Sequence, residues 1–129
     1  MKLSLVAIIG LLSTCQVFAT PPVPVDRVAV DGKEYPVYYI LDVKKDTPPP
    51  AFPPRAREEG RGGSTEVGAI VGENGRVKGA FIKSSDADKD IQHAVVAAVR
   101  RWRFQRIKVD GAPISYVVFV TVEMRPNAP

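Results

Sequence analysis

Few side chains in this sequence could carry out acid–base or metal chemistry, and none of them stands in a usable pattern. His93 is the sole histidine and Cys15 the sole cysteine, so a tetrahedral zinc site of the usual type cannot be built. Asp86, Asp88 and Asp90 alternate like the ligands of a calcium loop, but the glycine and distal glutamate of that loop are absent. These aspartates fit better as caps of the helix that follows them. We therefore expect no metal site.

Sites for nucleophilic catalysis or phosphate binding are not evident either. Ser84, Ser85 and Ser115 have no base at a spacing that would activate them. The run Gly60–Gly63 lacks the Lys-Ser/Thr pair and the preceding buried strand of a phosphate-binding loop. We therefore predict that the protein is not an enzyme and uses no cofactor.

The first 19 residues are typical of an export signal. Lys2 supplies a positive charge, Leu3–Leu12 form an apolar core, and Val17–Ala19 provide the small residues of a cleavage site. We expect cleavage after Ala19 and an exported protein. Two alternatives stay open. One is an uncleaved membrane anchor, for which the apolar run is short. The other is a lipid attached to Cys15.

The sequence carries a small excess of positively charged residues. The formal net charge is +4 and falls to +3 if Lys2 is removed, which is not by itself typical of a nucleic-acid-binding protein. A basic cluster surrounds the end of the predicted long helix and consists of Arg100, Arg101, Arg103, Arg106 and Lys108. One interpretation is favourable placement at the negative end of the helix dipole together with a solvated face. The other is a docking surface for an acidic partner or anionic lipid headgroups.

Residues 20–51 are predicted to form a proline-rich tether. Nine of the twelve prolines lie between Pro21 and Pro54, and proline disfavours both helices and sheet interiors. Fully extended, the tether would reach about 100 Å. Within it, residues 27–45 alternate apolar and polar side chains around Asp31-Gly32, a strong hairpin turn. Pro36 is expected to confine the second strand to a sheet edge. The hairpin either docks on the main domain or becomes ordered on a partner.

Residues 52–124 predict a small α+β domain, and residues 125–129 form a tail. The elements expected in chain order are a short helix at 55–59, strands at 65–72 and 76–83, a long helix beginning near Asp88, and a strand from Tyr116 to Met124. We expect a three-stranded antiparallel sheet packed on one long helix, with the short N-terminal helix in front. Val77 and Phe81 are predicted to share one face of the second strand.

The two strongest periodic patterns lie in the last third of the chain. Apolar residues recur with helical spacing at Ile91, Ala94, Val95, Ala98, Val99 and Trp102. The last strand places Tyr116, Val118, Val120, Val122 and Met124 on one side. Trp102 and Phe104 end the helical stripe, and we expect both to be core residues because large aromatic side chains bury so much area.

A series of short motifs spans the predicted domain. In order, they are Phe52-Pro53, Arg55-Ala56, Val67–Val71, Glu73–Gly75, Val77, Ser84-Ser85, Ala94, Ala97, Ala98, Trp102–Phe104, Gly111–Pro113 and the strand through Val122. In this order they resemble the C-terminal domain of TonB-type energy transducers, over residues 50–124. The resemblance implies a periplasmic domain that binds TonB-dependent outer-membrane transporters and takes part in energy-coupled transport. It further implies contact with inner-membrane, proton-driven motor proteins.

The resemblance also implies where a partner binds. A transporter segment would add a strand to the sheet, and the Val-rich last strand, which lacks proline, is a suitable template. The implied partner-binding residues are Phe52, Pro53, Arg55, Tyr116, Val117, Val118, Phe119, Val120, Thr121 and Val122. An alternative makes this strand central, covered by the predicted hairpin or by a second copy in a homodimer. Phe52 could likewise be only a wedge that packs the first helix onto the sheet.

Two functions follow from these observations. The first is a TonB-type protein acting on outer-membrane transporters. The second is a soluble periplasmic interaction or scaffolding module that uses the same strand without motor coupling. The short tether and the weak N-terminal anchor signal favour the second, and the match across the binding domain favours the first.

Overall fold

The computed structural model describes residues 21–126, and the predicted export signal at 1–19 lies outside them. The helices and strands are β1 Asp26–Val30, β2 Lys33–Tyr38, α1 Ile40–Val43, β3 Lys44–Asp46, α2 Pro54–Glu58, β4 Gly63–Val71, β5 Val77–Ser85, α3 Lys89–Arg100, β6 Arg103–Phe104, β7 Lys108–Val109, β8 Ala112–Pro113 and β9 Tyr116–Met124. Within residues 21–126, no helix is long and apolar enough to cross a bilayer.

The main sheet has five strands in the order β1-β2-β9-β4-β5. The predicted three-stranded antiparallel sheet is present as β9-β4-β5, but the strand count was wrong. Two further strands come from the segment assigned to the tether, because the hairpin around Asp31-Gly32 docks on β9. Both turn residues have positive φ, as a two-residue hairpin turn requires.

The hairpin is shorter than predicted and adds to the sheet in an unexpected direction. It spans residues 26–38, and the chain then forms α1 and β3. β2 runs parallel to β9 and pairs with it only at Val37 and Tyr38. The prediction that Pro36 confines β2 to an edge was therefore wrong. Pro36 is tolerated because it pairs only with β1, at Arg27, just before the β9 pairing begins.

The main core lies between the sheet and α3. The helical stripe is confirmed, since Ile91, Val95, Val99 and Trp102 are all buried. They face the alternate residues of β9 that were predicted to share one side, together with Val67, Ala69 and Val71 of β4. The N-terminal segment completes this core with Tyr38 and Val43. Residues 26–46 are therefore part of the folded unit.

A smaller apolar cluster covers part of the other face of the sheet. Tyr35, Val37 and Val117 are buried there, and Phe119 and Ile70 pack against them half-buried. β2 thus contributes side chains to both faces, with Tyr38 in the main core and Val37 in the smaller one. This two-sided burial explains why the hairpin docks, since an isolated hairpin is only marginally stable in water.

Two local details differ from the sequence analysis. Val77 packs with the main core and does not share a face with Phe81, because a register shift at Lys78 pairs Val71 with Val77 but Ile70 with Gly79. Asp88 occupies the N-cap position of α3 without a side-chain capping bond. Its carboxylate instead forms an ion pair with Arg61.

Candidate partner-binding strand

β9 has one fully paired side and one that is only half paired. β4 pairs with it from Tyr116 to Met124. On the opposite side, β2 pairs only with Val117 and Val118. Among residues 21–126, no strand pairs with Phe119–Met124 on that side. We call Phe119–Met124 the open half of β9. Its unpaired side presents backbone N–H and C=O groups that an extended segment could bind.

The open half of β9 carries apolar side chains on the face toward α3, and both apolar and polar side chains on the opposite face. Val120 and Val122 are half-buried against the main core, and Thr121 is exposed on the opposite face. Phe119 lies on that face too, edge-to-face with Phe81 at a ring-centroid distance of 5.9 Å. Lys83 Nζ lies 4.7 Å from the centre of the Phe119 ring. An added strand would therefore meet an apolar row on one face and an aromatic–cation group on the other.

The first three residues of β9 are structural. Tyr116 is fully buried, its hydroxyl donates a 2.6 Å hydrogen bond to the Gln105 carbonyl oxygen, and its ring meets Tyr38 edge-on. Burial, reinforced by Tyr38, raises the pKa of Tyr116 well above its usual range. Val117 and Val118 are also fully buried. These three side chains offer a partner no surface, because β2 and α3 already cover them.

The predicted Phe52-Pro53 motif leads into α2. Phe52 is half-buried and packs against the main core, and the Arg57 guanidinium carbon lies 5.3 Å from its ring centre. The Pro53 carbonyl oxygen accepts a 3.0 Å hydrogen bond from the Arg57 N–H, which starts the helix. Arg55 is exposed and forms a 3.2 Å ion pair with Glu59. Phe52 therefore packs as a wedge while part of its ring stays accessible.

α2 and the open half of β9 lie at the same end of the sheet. The loop after α2 passes so close to β9 that a Cβ on Gly62 would collide with the Met124 carbonyl oxygen. The next residue, Gly63, pairs with Met124. Glycine at position 62 is thus required for this approach. The loop that follows α2 is therefore close to Met124, at one end of the open half of β9.

An ion-pair group, which the sequence did not reveal, connects the loop after α2 to the start of α3. Arg61 contacts Glu59 at 2.8 Å and Asp90 at 3.1 Å, and it also pairs with Asp88. Hydrogen bonds to these carboxylates raise the Arg61 pKa, and Arg61 in turn lowers the pKa of Asp90. Asp88 and Asp90 were visible in the sequence as capping candidates. Their common partner lies 27 and 29 positions away, beyond the reach of local patterns.

Comparison with known proteins agrees with this geometry. Residues 48–125 match the family model described as Gram-negative bacterial TonB protein C-terminal. Two curated proteins named Protein TonB, from strains B100 and ATCC 33913 of Xanthomonas campestris pv. campestris, are each 30% identical to the chain over 83 residues. The alignment covers 64% of this chain and 37% of each relative.

The fold is also similar to a solved structure. The solution NMR structure of the Pseudomonas aeruginosa TonB C-terminal domain superposes with a TM-score of 0.56 at 20% identity, covering 67% of this chain and 87% of that one. The matched family is not a family of enzymes. The family match covers more than half of the chain, and we conclude that the chain belongs to the TonB C-terminal domain family.

Proposed function

We propose that this chain is a periplasmic TonB-like protein that binds TonB-dependent outer-membrane transporters by strand addition and takes part in energy-coupled transport. The open half of β9 is the observation that carries the proposal. It supplies an unpaired strand edge without proline, and the loop after α2 reaches Met124 at one end of this edge. Backbone hydrogen bonds would provide the affinity, and the side chains beside them the selectivity.

The proposed site is narrower than the one that the resemblance implied. Phe119, Val120, Thr121 and Val122 would receive the transporter segment, with Phe52, Pro53 and Arg55 as further contacts. Tyr116, Val117 and Val118 would take part only through their backbone, and only after the β1–β2 hairpin had moved away. The hairpin and the incoming segment would then compete for the same side of β9.

The test is amide hydrogen exchange measured by NMR on the whole chain. A synthetic peptide copied from the N-terminal segment of a TonB-dependent transporter of the same organism would be added. Successive N–H groups of a strand point to opposite sides, so we expect alternate amides of Phe119–Met124 to become protected. β1 and β5, the outer strands of the sheet, are the internal controls. Protection that appears on β1 or β5 instead would refute the assignment of the site.

The second candidate is a soluble interaction or scaffolding module without motor coupling. It is favoured by the hairpin, which already closes part of the β9 edge. Fractionation of native cells separates the two functions. Retention in the inner membrane, together with cross-links to motor proteins, supports the energy-transducing role. A free periplasmic protein that still binds the transporter peptide supports the module. The contribution of a homodimer is tested by the mass of the protein in solution with and without the peptide.

A further inference from the structure

A cleft lined by cations lies at the end of the sheet away from the open half of β9. Its volume is about 410 Å³, and four of the residues that line it are Lys45, Arg76, Arg103 and Arg106. All four are exposed. No acidic residue lines the cleft. We call it the cationic cleft.

The four cations are held together by backbone pairing from three parts of the chain. β6, which contains Arg103, pairs with β3 on one side, where Asp46 lies opposite Arg103. On its other side, Arg103 forms a bridge with Arg76, and the Phe104 N–H donates a 2.9 Å hydrogen bond to the Gly75 carbonyl oxygen. Local sequence patterns could not show this convergence, because β3 and β6 are nearly sixty residues apart.

Glycine at position 75 is needed for the cleft to form. Its φ of +85° suits glycine, and a Cβ there would collide with the Phe104 carbonyl oxygen. The β4–β5 turn can therefore approach β6 closely enough to place Arg76 beside Arg103. The positions of these backbones are fixed before any ligand arrives, which reduces the entropy lost on binding.

The positive charges of the cleft are not neutralised by the part of the chain that the structure describes. Between residues 21 and 126, none of the four cations has a carboxylate oxygen within 4.0 Å. Asp46, Glu73 and Asp110 are the acidic residues nearest to them in sequence, and none of the three forms such a pair either. Four like charges around a concave surface create a positive potential, and an anionic ligand would relieve their repulsion.

We propose that the cationic cleft binds an acidic peptide segment of a protein partner. Charge complementarity selects the anionic chemistry, and the shape and surroundings of the cleft favour a peptide over a membrane. Peripheral membrane binding usually combines basic residues with apolar side chains that insert between lipids. None of the exposed large apolar residues of the described chain lines the cleft. A concave, polar site suits an extended peptide whose carboxylates reach several cations at once.

The cleft is independent of the proposed strand-addition site. It adjoins the β4–β5 turn, beyond the Val71–Tyr116 pair, whereas the open half of β9 ends at Met124. One chain could therefore hold a transporter segment at one end of the sheet and an acidic segment at the other.

The experiment measures binding of a fluorescein-labelled peptide of alternating aspartate and glutamate to the whole chain. The cleft variant is Lys45→Gln/Arg76→Gln/Arg106→Gln. The matched control, Lys89→Gln/Arg100→Gln/Lys108→Gln, removes the same charge from exposed positions outside the cleft. We expect the cleft variant to bind about tenfold more weakly and the control less than about threefold. Raising the salt from about 50 to 300 mM should weaken wild-type binding.

Three results would overturn the proposal. If both triple variants lose affinity equally, only net charge matters. If the peptide fails to bind the wild-type chain at low salt, the cleft has no such ligand. If vesicles containing phosphatidylglycerol bind wild type more tightly than the cleft variant while the peptide does not, the occupant is a lipid headgroup. Circular dichroism and urea unfolding of both variants would verify that they fold like the wild type.

Discussion

Single residues decide how much of the second face of the sheet is covered. Gly68 lies directly under the Phe81 ring, and a Cβ there would overlap three of the ring carbons. The missing side chain at Gly68 thus leaves room for the Phe81 ring, which meets Phe119 edge-on. The Lys83 ammonium group lies over the Phe119 ring. A glycine in a strand is usually a weakness, and here it makes room for an aromatic side chain.

Gly68→Ala should displace the Phe81 ring and destabilise the protein by about 1–3 kcal/mol, because the added methyl overpacks this face. The measurement is urea unfolding followed by tryptophan fluorescence. Gly79→Ala is the control, since a Cβ at Gly79 would meet only the flexible end of Ile70 at 3.4 Å. We expect Gly79→Ala to change the unfolding free energy by less than about 0.5 kcal/mol. Equal losses in the two variants would show that ring displacement is not the cause.

Tyr116 should make the stability of the protein fall at high pH. Unfolded tyrosine titrates near pH 10, and burial raises the folded pKa above that value. The unfolded state therefore loses its proton first. The contribution of Tyr116 to the free energy of unfolding is fully present below about pH 10 and is lost as the pH rises further. Tyr116→Phe should cost about 1 kcal/mol at pH 8 through the lost hydrogen bond. The stability of the Tyr116→Phe variant should also depend less steeply on pH.

The measurement is the urea midpoint of both proteins between about pH 8 and 11. Tyr38 leaves a residual slope in the variant, because burial raises its pKa too. Identical slopes for the two proteins would contradict the role given to Tyr116.

At the scale of helices and strands, the sequence predicted the elements that are defined by residues close together in the chain. The α3 stripe, the alternation of β9 and the Asp31-Gly32 turn depend on residues close in sequence. The pairing of β2 with β9 could not be predicted in the same way, because it joins Val37 to Val117 across eighty positions. The same limit applies to the site. The sequence singled out β9 as the candidate strand, but only the strands that pair with β9 determine which half of it is open.

Loosening the β1–β2 hairpin should strengthen binding of the transporter peptide. Gly32 has a φ of +80°, and no atom lies within 4 Å of the position that a Cβ would take there. Gly32→Val therefore strains the turn without a steric clash. Since the hairpin and the peptide would compete for the same side of β9, we expect affinity to rise severalfold. Gly111→Val is matched in φ and open space but lies in the β7–β8 turn. Its affinity should not change, and a similar rise in both variants would argue against competition.

At the scale of the whole molecule, the N-terminal segment is an integral part of the fold. The family match begins at residue 48, yet Tyr38 and Val43 are buried in the main core. The indole N–H of Trp102 also donates a 2.7 Å hydrogen bond to the Pro48 carbonyl oxygen. The proline-rich composition suggested a tether because proline disfavours regular structure. Residues 26–46 nevertheless form three strands and a short helix, with Pro36 inside β2.

A chain that begins at residue 48 should be much less stable than one that begins at residue 21. Losing the buried Tyr38 and Val43 side chains costs about 3–6 kcal/mol, a large share of the 5–15 kcal/mol typical of a folded domain. Urea unfolding and binding of a hydrophobic dye compare the two chains. Equal unfolding free energies would show that the segment only rests on the surface of the domain.

The position of β9 also governs the order in which the protein can fold during synthesis. β9 is synthesised after the other four strands of the main sheet, yet it is the middle strand. β1–β2 and β4–β5 can form as separate hairpins, but neither has its neighbour until β9 arrives. Folding of the sheet must therefore wait until β9 has been made, and contacts between such distant segments form slowly. A chain that stays unfolded until its last strand appears is well suited to passage through a membrane as an extended thread.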